Sequence, residues 1–334
     1  MKPEDRFVER LRALLPHDDR VLIGPGDDAA VFSAGGGQYA VTTDMLVESV
    51  DFLPEEDPES IGRRAIAVNL SDLAAMGARP EFFLLSIAFP PSRGQDYPLA
   101  VARGALSRAS PLGVPLVGGD LSRAPAAVVS VALWGCCGGV WLTRSGARSG
   151  DLLFLSGFAG RAAAGLRLAS RGLPPVPGSS GLLPQEEREL VAAYRDPEPR
   201  IALGLDLARE RLARAAIDVS DGLGVDAARL ARCSGVQAVL ERERIPVSPA
   251  LAAFAEHEGV DPVEWMLAGG DDYELLFTAP ETALTTLLAG RPGWGVAIAR
   301  IGFIQTGQGA VLRDRRGAER DIAAIGHDHF EARP

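Results

Sequence analysis

Short apolar runs alternate with helix-like stretches along the first half of the chain, a pattern typical of a mixed α/β lobe. Strands are predicted at residues 21–23, 39–43, 82–89, 114–117 and 127–134, and helices at 59–77 and 97–110. The first of these helices ends at a Gly-Ala-Arg-Pro sequence, because proline cannot continue a helix. We therefore expect this half to form a lobe of its own.

The second half shows the same alternation of strands and helices after a polar, glycine-containing stretch at residues 143–151. Strands are predicted at residues 152–156, 216–219, 237–240, 273–278 and 296–304, and helices at 159–171, after Pro184 and at 222–233. A loop rich in Pro, Gly and Ser spans 172–184, and whether it moves over a site stays open. We place the boundary after residue 145, which predicts domains 1–145 and 146–334 and a two-lobed α/β (α+β) fold.

Composition narrows the class of protein. A chain of 334 residues with 47% hydrophobic positions is able to bury a large core, and its net charge of −10 argues against a nucleic-acid partner. The longest apolar run, at 125–142, contains paired glycines and suits buried strands better than a membrane helix. No signal-peptide pattern is visible, and the three cysteines suggest core thiols rather than disulfides. We therefore expect a cytoplasmic protein that does not bind a membrane.

The basic residues exclude two classes of nucleotide-binding site. Of the 34 basic residues, Lys2 is the only lysine, and it lies where a frayed N-terminus is expected. Both the P-loop and the ATP site of protein kinases need a lysine at the phosphates. If the protein handles phosphate, then metal ions, arginine and backbone amides must neutralise its charge.

Aspartates recur just after apolar strands or within a helix, and this is the distinctive feature of the sequence. They are Asp27, Asp28, Asp44, Asp72, Asp120, Asp218, Asp221, Asp271 and Asp272. Carboxylates at neighbouring strand ends converge at one edge of a sheet, where their mutual repulsion calls for a hard cation such as magnesium or manganese. Glycines beside many of them let the backbone approach a bulky anion. The pattern predicts a metal site that also binds phosphate groups.

Each of these residues also has a plain structural explanation when it is taken singly. Asp28 and Asp221 suit helix caps or turns, and Asp72 suits a salt bridge or an exposed helix face. Arg144 and Arg148 suit solvated charges in a linker. Only the combination of aspartates, glycine pairs and arginine favours a functional site.

Seven segments, taken in order between residues 24 and 278, resemble the thiamine-monophosphate kinases. This family shares a superfamily with aminoimidazole ribonucleotide synthetase and selenophosphate synthetase. The segments are GPGDDAAV, TTDMLVE, AVNLSDLAAMGARP, VGGDLSR, TRSGARSGD, AIDVSDGL and GGDDYELLFT. A further match, GHDHF, lies near the C-terminus.

The resemblance implies an aminoimidazole ribonucleotide synthetase-like fold and a homodimer, in which the N-terminal lobes pair through their sheets to form a barrel-like core. It implies phosphoryl transfer from ATP, with several Mg²⁺ ions, to thiamine monophosphate, giving ADP and thiamine diphosphate. The attack would be direct and in line, so that no residue is expected to act as a nucleophile or a base.

The resemblance also implies the site residues, by motif position. The magnesium ligands would be Asp27, Thr43, Asp44, Asp72, Asp120, Asp218 and Asp221. The ATP contacts would be Gly119, Asp120, Arg144 and Ser220, and the acceptor contacts would be Asp51, Asp271 and His327. The three acceptor positions depart from the family pattern, which has histidine, glutamate and an aromatic residue there. The metal and ATP positions are thus kept, while the acceptor positions are altered.

Two other functions compete with this interpretation. The first alternative is another enzyme of the same superfamily, acting on a different phosphorylated acceptor. The second alternative is a non-catalytic acidic metal-binding protein. The second alternative explains the aspartates but neither Arg144 nor the glycine pairs. Release of ADP distinguishes an enzyme from a metal buffer.

Overall fold

A computed structural model describes residues 2–172 and 182–328 of the chain. Most of the predicted 172–184 loop and the end of the GHDHF segment lie outside the described residues. Within the described ranges, no helix is long and apolar enough to cross a membrane.

The first half of the chain builds a six-stranded sheet, here called the N-terminal sheet. Its elements are α1 (Pro3–Arg12), β1 (Val21–Ile23), β2 (Ala30–Ala34), β3 (Gly37–Val47), α2 (Pro58–Ala75), β4 (Arg79–Phe89), α3 (Asp96–Ala109), β5 (Leu116–Arg123) and β6 (Val128–Cys136). The strand order is β1-β2-β3-β6-β4-β5, and only the pairing of β4 with β5 is parallel. Alternate residues of β6 are buried, which is typical of a sheet with one covered face.

One face of this sheet packs against α2 and α3, which approach each other closely. A side chain at Gly62 would clash with the carbonyl oxygen of Val101, because the two helix backbones almost touch there. Ile66, Leu70 and Phe83 are fully buried in the layer between helices and sheet. The opposite face of the sheet is open and presents apolar side chains to solvent.

The second half builds a seven-stranded sheet, here called the C-terminal sheet. Its elements are β7 (Leu152–Ser156), α4 (Arg161–Ala169), α5 (Pro184–Arg195), α6 (Ile201–Arg209), β8 (Ala215–Asp218), α7 (Leu223–Ser234), β9 (Gln237–Glu241), α8 (Pro249–Glu258), α9 (Pro262–Ala268), β10 (Leu275–Ala279), α10 (Leu284–Ala289), β11 (Ile298–Gln305), β12 (Gly309–Arg313) and β13 (Glu319–Asp321). The strand order is β13-β12-β9-β11-β7-β10-β8. Apart from β12 with β9, the pairings are antiparallel.

Helix α2 joins the two halves. It contacts α3, β3 and β6 on one side and α6 and β8 on the other. Fourteen of its residues are buried, so that it lacks the polar stripe of a surface helix. The sequence predicted this helix within two residues at each end, and its burial explains why apolar and small residues surround it.

The predicted strands and helices are confirmed, with three corrections of detail. Asp44 was expected at the end of a strand but lies inside β3, and Asp120 lies inside β5 for the same reason: strand pairing continues beyond the apolar run. Lys2, expected at a frayed terminus, is buried and donates from Nζ to the carbonyl of Gly326 at 3.2 Å. The predicted boundary after residue 145 stays a prediction.

Candidate active site

A cleft of about 1060 Å³ lies between the two sheets and is lined by residues from both halves of the chain. Most of the predicted site residues line it: Asp27, Thr43, Asp44, Asp51, Asp72, Arg144, Asp218, Ser220, Asp221, Asp271 and His327. Gly119 and Asp120 are not among its lining residues. The cleft therefore brings together eleven of the thirteen predicted positions, although these are scattered over three hundred residues of sequence.

Three carboxylates meet at the floor of the cleft. Oxygens of Asp28, Asp72 and Asp218 all lie within 4.8 Å of one another. Asp28 comes from the loop between β1 and β2, Asp72 from α2, and Asp218 from the end of β8. Residues from both halves of the chain thus form one acidic cluster, of the kind that binds a hard cation.

Hydroxyl and amide groups fix the orientation of this acidic cluster. Thr42 donates from its hydroxyl to Oδ2 of Asp72 at 2.5 Å, and Ser71 donates to Oδ2 of Asp218 at 2.7 Å. The backbone N–H of Asp44 donates to Oδ1 of Asn69 at 3.0 Å. The two hydroxyl contacts position carboxylates of the cluster before any ligand arrives, and the amide contact holds the backbone of the neighbouring Asp44.

Burial, and after it the proximity of other carboxylates, raises the pKa values of these acids. Burial is the main cause for Asp27 and for Asp44, and it raises the pKa of each to about 6. Burial and the neighbouring Asp44 and Asp218 raise the pKa of Asp72 well above its ordinary value. Burial and the neighbouring Asp28 do the same for the pKa of Asp218. A cation would relieve this cost by favouring the charged forms.

Arg144 already neutralises part of the cluster. Its Nη2 lies 2.5 Å from Oδ1 of Asp28, whose side chain is fully buried, and its backbone N–H donates to Oδ1 of Asp27 at 3.1 Å. The guanidinium thus lies beside the acids, and any anion bound there would share it with Asp28.

A second arginine at the cleft, Arg229, is absent from the sequence predictions. It lies on α7, where Nη1 forms an ion pair with Asp221 and another, at 3.0 Å, with Asp226. Oδ2 of Asp226 accepts from the backbone N–H groups of Asp221 and Gly222 at 3.0 and 3.1 Å. Asp226 therefore fixes the turn that carries Asp221. The sequence signal was available, since Asp226 and Arg229 stand three residues apart on one helix among apolar neighbours.

The three predicted acceptor residues also line the cleft, and two of them adjoin the turn that carries Ser220 and Asp221. Asp51 accepts from the backbone N–H of Val47 at 2.8 Å, so part of its carboxylate is used to close a turn. Asp271 donates from its backbone N–H to the carbonyl of Ser220 at 2.8 Å. The backbone N–H of His327 donates to the carbonyl of Asp221 at 2.8 Å.

Gly119 and Asp120 lie three strands away from the cleft in the same chain. In the N-terminal sheet, Asp44 pairs with Val131, Val131 with Leu85, and Leu85 with Gly119. Three strand spacings correspond to roughly 14 Å. Within one chain, Asp120 therefore does not join the other acids.

Comparison with known proteins defines the class. The family models for AIR synthase related proteins match in both parts, the N-terminal domain over residues 26–137 and the C-terminal domain over residues 148–315. The two-sheet fold and its acidic cleft thus belong to an AIR synthase related protein.

Individual relatives define the family more narrowly. The thiamine-monophosphate kinase of Rhodopirellula baltica is 35% identical over 90% of this chain and 89% of its own length. The structure of AaThiL complexed with AMPPCP and TMP is 30% identical, with a TM-score of 0.82, over 98% of this chain and 96% of that one. The thiamine-monophosphate kinase structure from Stenotrophomonas maltophilia K279a is 36% identical, with a TM-score of 0.74, over 93% and 96%. The chain belongs to the thiamine-monophosphate kinase family.

Proposed function

We propose that this protein transfers the γ-phosphoryl group of ATP to the phosphate of thiamine monophosphate, giving ADP and thiamine diphosphate. The observation that carries this proposal is the acidic cleft between two sheets in a chain that resembles AaThiL complexed with AMPPCP and TMP over nearly its whole length. The reaction belongs to thiamine diphosphate biosynthesis. A location in the cytoplasm and a domain boundary after residue 145 remain part of the proposal.

The acidic cluster fits divalent metal ions. Asp28, Asp72 and Asp218 offer oxygens within 4.8 Å of one another, and among the described residues Oδ2 of Asp28 is buried without a hydrogen-bond partner. Oxygen ligands of this kind suit Mg²⁺. Several Mg²⁺ ions would be held by Asp27, Thr43, Asp44, Asp72, Asp120, Asp218 and Asp221, with Asp28 as an addition from the geometry. When bound, the metal supplies charge neutralisation for the phosphate oxygens.

Two of the four proposed ATP contacts lie in the cleft. Arg144 and Ser220 line it, and Arg144 is oriented by Asp28 and by the backbone contact with Asp27. Arg144 would share its guanidinium between Asp28 and the phosphates of ATP. Gly119 and Asp120 would reach ATP only from a second copy of the chain.

The proposed acceptor contacts, Asp51, Asp271 and His327, line the same cleft. The carboxylates of Asp51 and Asp271 suit a cationic ring, and thiamine carries a positive charge on its thiazolium. The attacking phosphate is ionised at neutral pH, so the residues of the cleft bind and align it without removing a proton. Alignment of two bound phosphates accounts for much of the rate enhancement in reactions of this class.

A homodimer through the open face of the N-terminal sheet would complete this site. That face presents Met45 and Phe82 with exposures of 58% and 38%, apolar side chains of the kind that a partner covers. The register aligns Met45 with Asp120 across β6 and β4, through Ser130 and Ser86, so both lie on this face. Pairing of two such faces would form the barrel-like core and bring the partner's Asp120 towards Thr43.

The direct test is turnover. Purified protein is mixed with ATP, MgCl₂ and thiamine monophosphate, and ADP and thiamine diphosphate are measured by chromatography. Equal amounts of both products, lost on addition of EDTA, are expected. ADP without thiamine diphosphate would favour another phosphorylated acceptor, and no ADP at all would favour the non-catalytic alternative.

A further inference from the structure

A single buried arginine of α2, Arg64, connects the two loops that carry Asp51 and Asp271. Arg64 is 1% exposed, and its guanidinium is in contact with residues of both halves of the chain. Nη1 donates to the carbonyl oxygen of Asp51 at 2.5 Å, and Nη2 lies 2.8 Å from Oδ2 of Asp271. Arg64 itself is not among the residues that line the cleft.

The aromatic ring of Tyr194 completes this arrangement from α5. The guanidinium carbon of Arg64 lies 4.4 Å from the centre of the ring, and the hydroxyl of Tyr194 is 3.4 Å from the carbonyl oxygen of Asp51. A planar guanidinium is able to stack on the ring and donate from two nitrogens at once, whereas a lysine ammonium is not. The contact geometry therefore depends on arginine and not merely on positive charge.

Asp271 needs such support because its backbone is strained. Its φ is +67°, and that of Tyr273 is +52°, a left-handed conformation that side-chain-bearing residues seldom adopt. The conformation persists only when surrounding contacts hold it. The ion pair with Arg64 and the hydroxyl of Tyr273, which donates to Oδ1 at 2.9 Å, engage both carboxylate oxygens of Asp271.

We propose that Arg64 is a positioning residue for the acceptor: it fixes the Asp51 loop against Asp271 and thereby sets the geometry that recognises the phosphorylated cationic substrate. This inference rests on the proposed function. The family pattern has glutamate at this position, whose side chain is one methylene longer than that of Asp271. The ion pair with Arg64 fixes the shorter carboxylate in place. The side chain of Arg64 contacts Asp51, Asp271 and Tyr194, and none of these is a proposed ATP contact, so we expect the affinity for ATP to be independent of Arg64.

The test is steady-state kinetics of Arg64→Lys and Arg64→Met, with each substrate varied in turn. We expect the KM for thiamine monophosphate to rise about tenfold or more in Arg64→Met and less in Arg64→Lys. We expect kcat and the KM for ATP to stay within about twofold. Arg63→Met is the matched control, because Arg63 is the neighbour on α2, has a side chain 31% exposed and pairs only loosely with Asp196, at 3.4 Å.

A double-mutant cycle with Asp271→Asn makes the test specific. If Arg64 acts through Asp271, the effects of Arg64→Lys and Asp271→Asn on the acceptor KM are less than additive. Unchanged kinetics in Arg64→Lys, or a parallel loss of kcat, ATP affinity and folded protein, overturn the inference alone. Absence of thiamine diphosphate with the wild-type protein overturns the proposed function, and this inference with it.

Discussion

At the scale of residues, the cleft contains buried acids whose charged forms destabilise the folded protein. Asp72 and Asp218 have pKa values raised well above the ordinary range, because burial and neighbouring carboxylates disfavour their charged forms. Proteins keep such unfavourable groups where a ligand compensates them. The same crowding that costs stability in the empty protein would provide the affinity for cations.

Asp72→Asn separates these two consequences. We expect turnover to fall about a hundredfold or more, because the substitution removes a metal ligand from the centre of the cluster. We expect the melting temperature in EDTA to stay the same or rise, because one source of repulsion is gone. Kinetics and thermal unfolding of the same preparation measure both effects.

The control for this variant is Asp19→Asn, whose side chain is 97% exposed and remote from the cluster. It should leave both turnover and melting temperature unchanged. A wild-type rate in Asp72→Asn would remove this residue from the site, and a large loss of stability would show that its role is structural.

At the scale of elements, one buried helix orients most of the site. Helix α2 begins at Pro58, where Asp57 caps it by accepting from the backbone N–H of Ser60 at 2.9 Å. Its polar residues then point in different directions, each with a partner of its own: Arg64 with Asp51 and Asp271, Asn69 with Asp44, Ser71 with Asp218, and Asp72 with Thr42. Helix α2 thus couples both halves of the chain to the cleft.

A second element depends on a cap from outside its own sequence. Helix α4 starts after Gly160 and has no side-chain cap of its own. Asp272 supplies one, since it accepts from the backbone N–H groups of Gly160 at 2.5 Å and Ala162 at 3.1 Å. We expect Asp272→Ala to lower the free energy of unfolding by about 1–2 kcal/mol, measured by denaturant titration.

Asp96→Ala is the matched control for this variant. Asp96 is an exposed acid in the first turn of α3, a helix whose N-cap residue forms no side-chain hydrogen bond. Its replacement should change the free energy of unfolding by less than about 0.5 kcal/mol. Equal stabilities of Asp272→Ala and the wild-type protein would contradict the capping role.

At the scale of the whole molecule, the site proposed from the sequence is incomplete in one chain. Asp120 lies on the open face of the N-terminal sheet, while the acidic cluster lies on the side of α2. A dimer through the open face would reunite them, so that each cleft uses Asp120 of the partner subunit. Dependence of the site on a second copy is therefore a measurable property.

Heterodimers of Asp72→Asn and Asp120→Asn subunits test this arrangement. If Asp120 acts across the interface, one of the two clefts is intact, and the doubly tagged heterodimer should have about half of the wild-type activity. Each homodimer alone should be inactive. If Asp120 acts within its own chain, both clefts are damaged and no activity returns.

The matched control pairs Asp72→Asn with Asp218→Asn, because both residues belong to the cluster of one chain. This heterodimer should stay inactive, because one change lies on each subunit and both clefts are therefore damaged. Recovery in this control would therefore contradict the assignment of both residues to one cleft.

The sequence by itself determined the elements and the kind of chemistry. Apolar runs and the residues that end helices located α2 and β6 within two residues and β4 within three, because burial of a strand or of a whole helix favours apolar residues along it. The recurrence of aspartate with glycine, and a single lysine, indicated metal and phosphate without a P-loop. These properties are local, so they can be read without coordinates.

Only the tertiary structure decided which of these residues meet. It joined Asp28 to Asp72 and Asp218, assigned Arg64 and Arg229 to buried ion pairs, and separated Asp120 from the cluster. Such contacts depend on strand register and on the packing of α2 between two sheets, which bring together residues far apart in the chain. No local pattern records them, because a buried arginine and an exposed one have the same letter in the sequence.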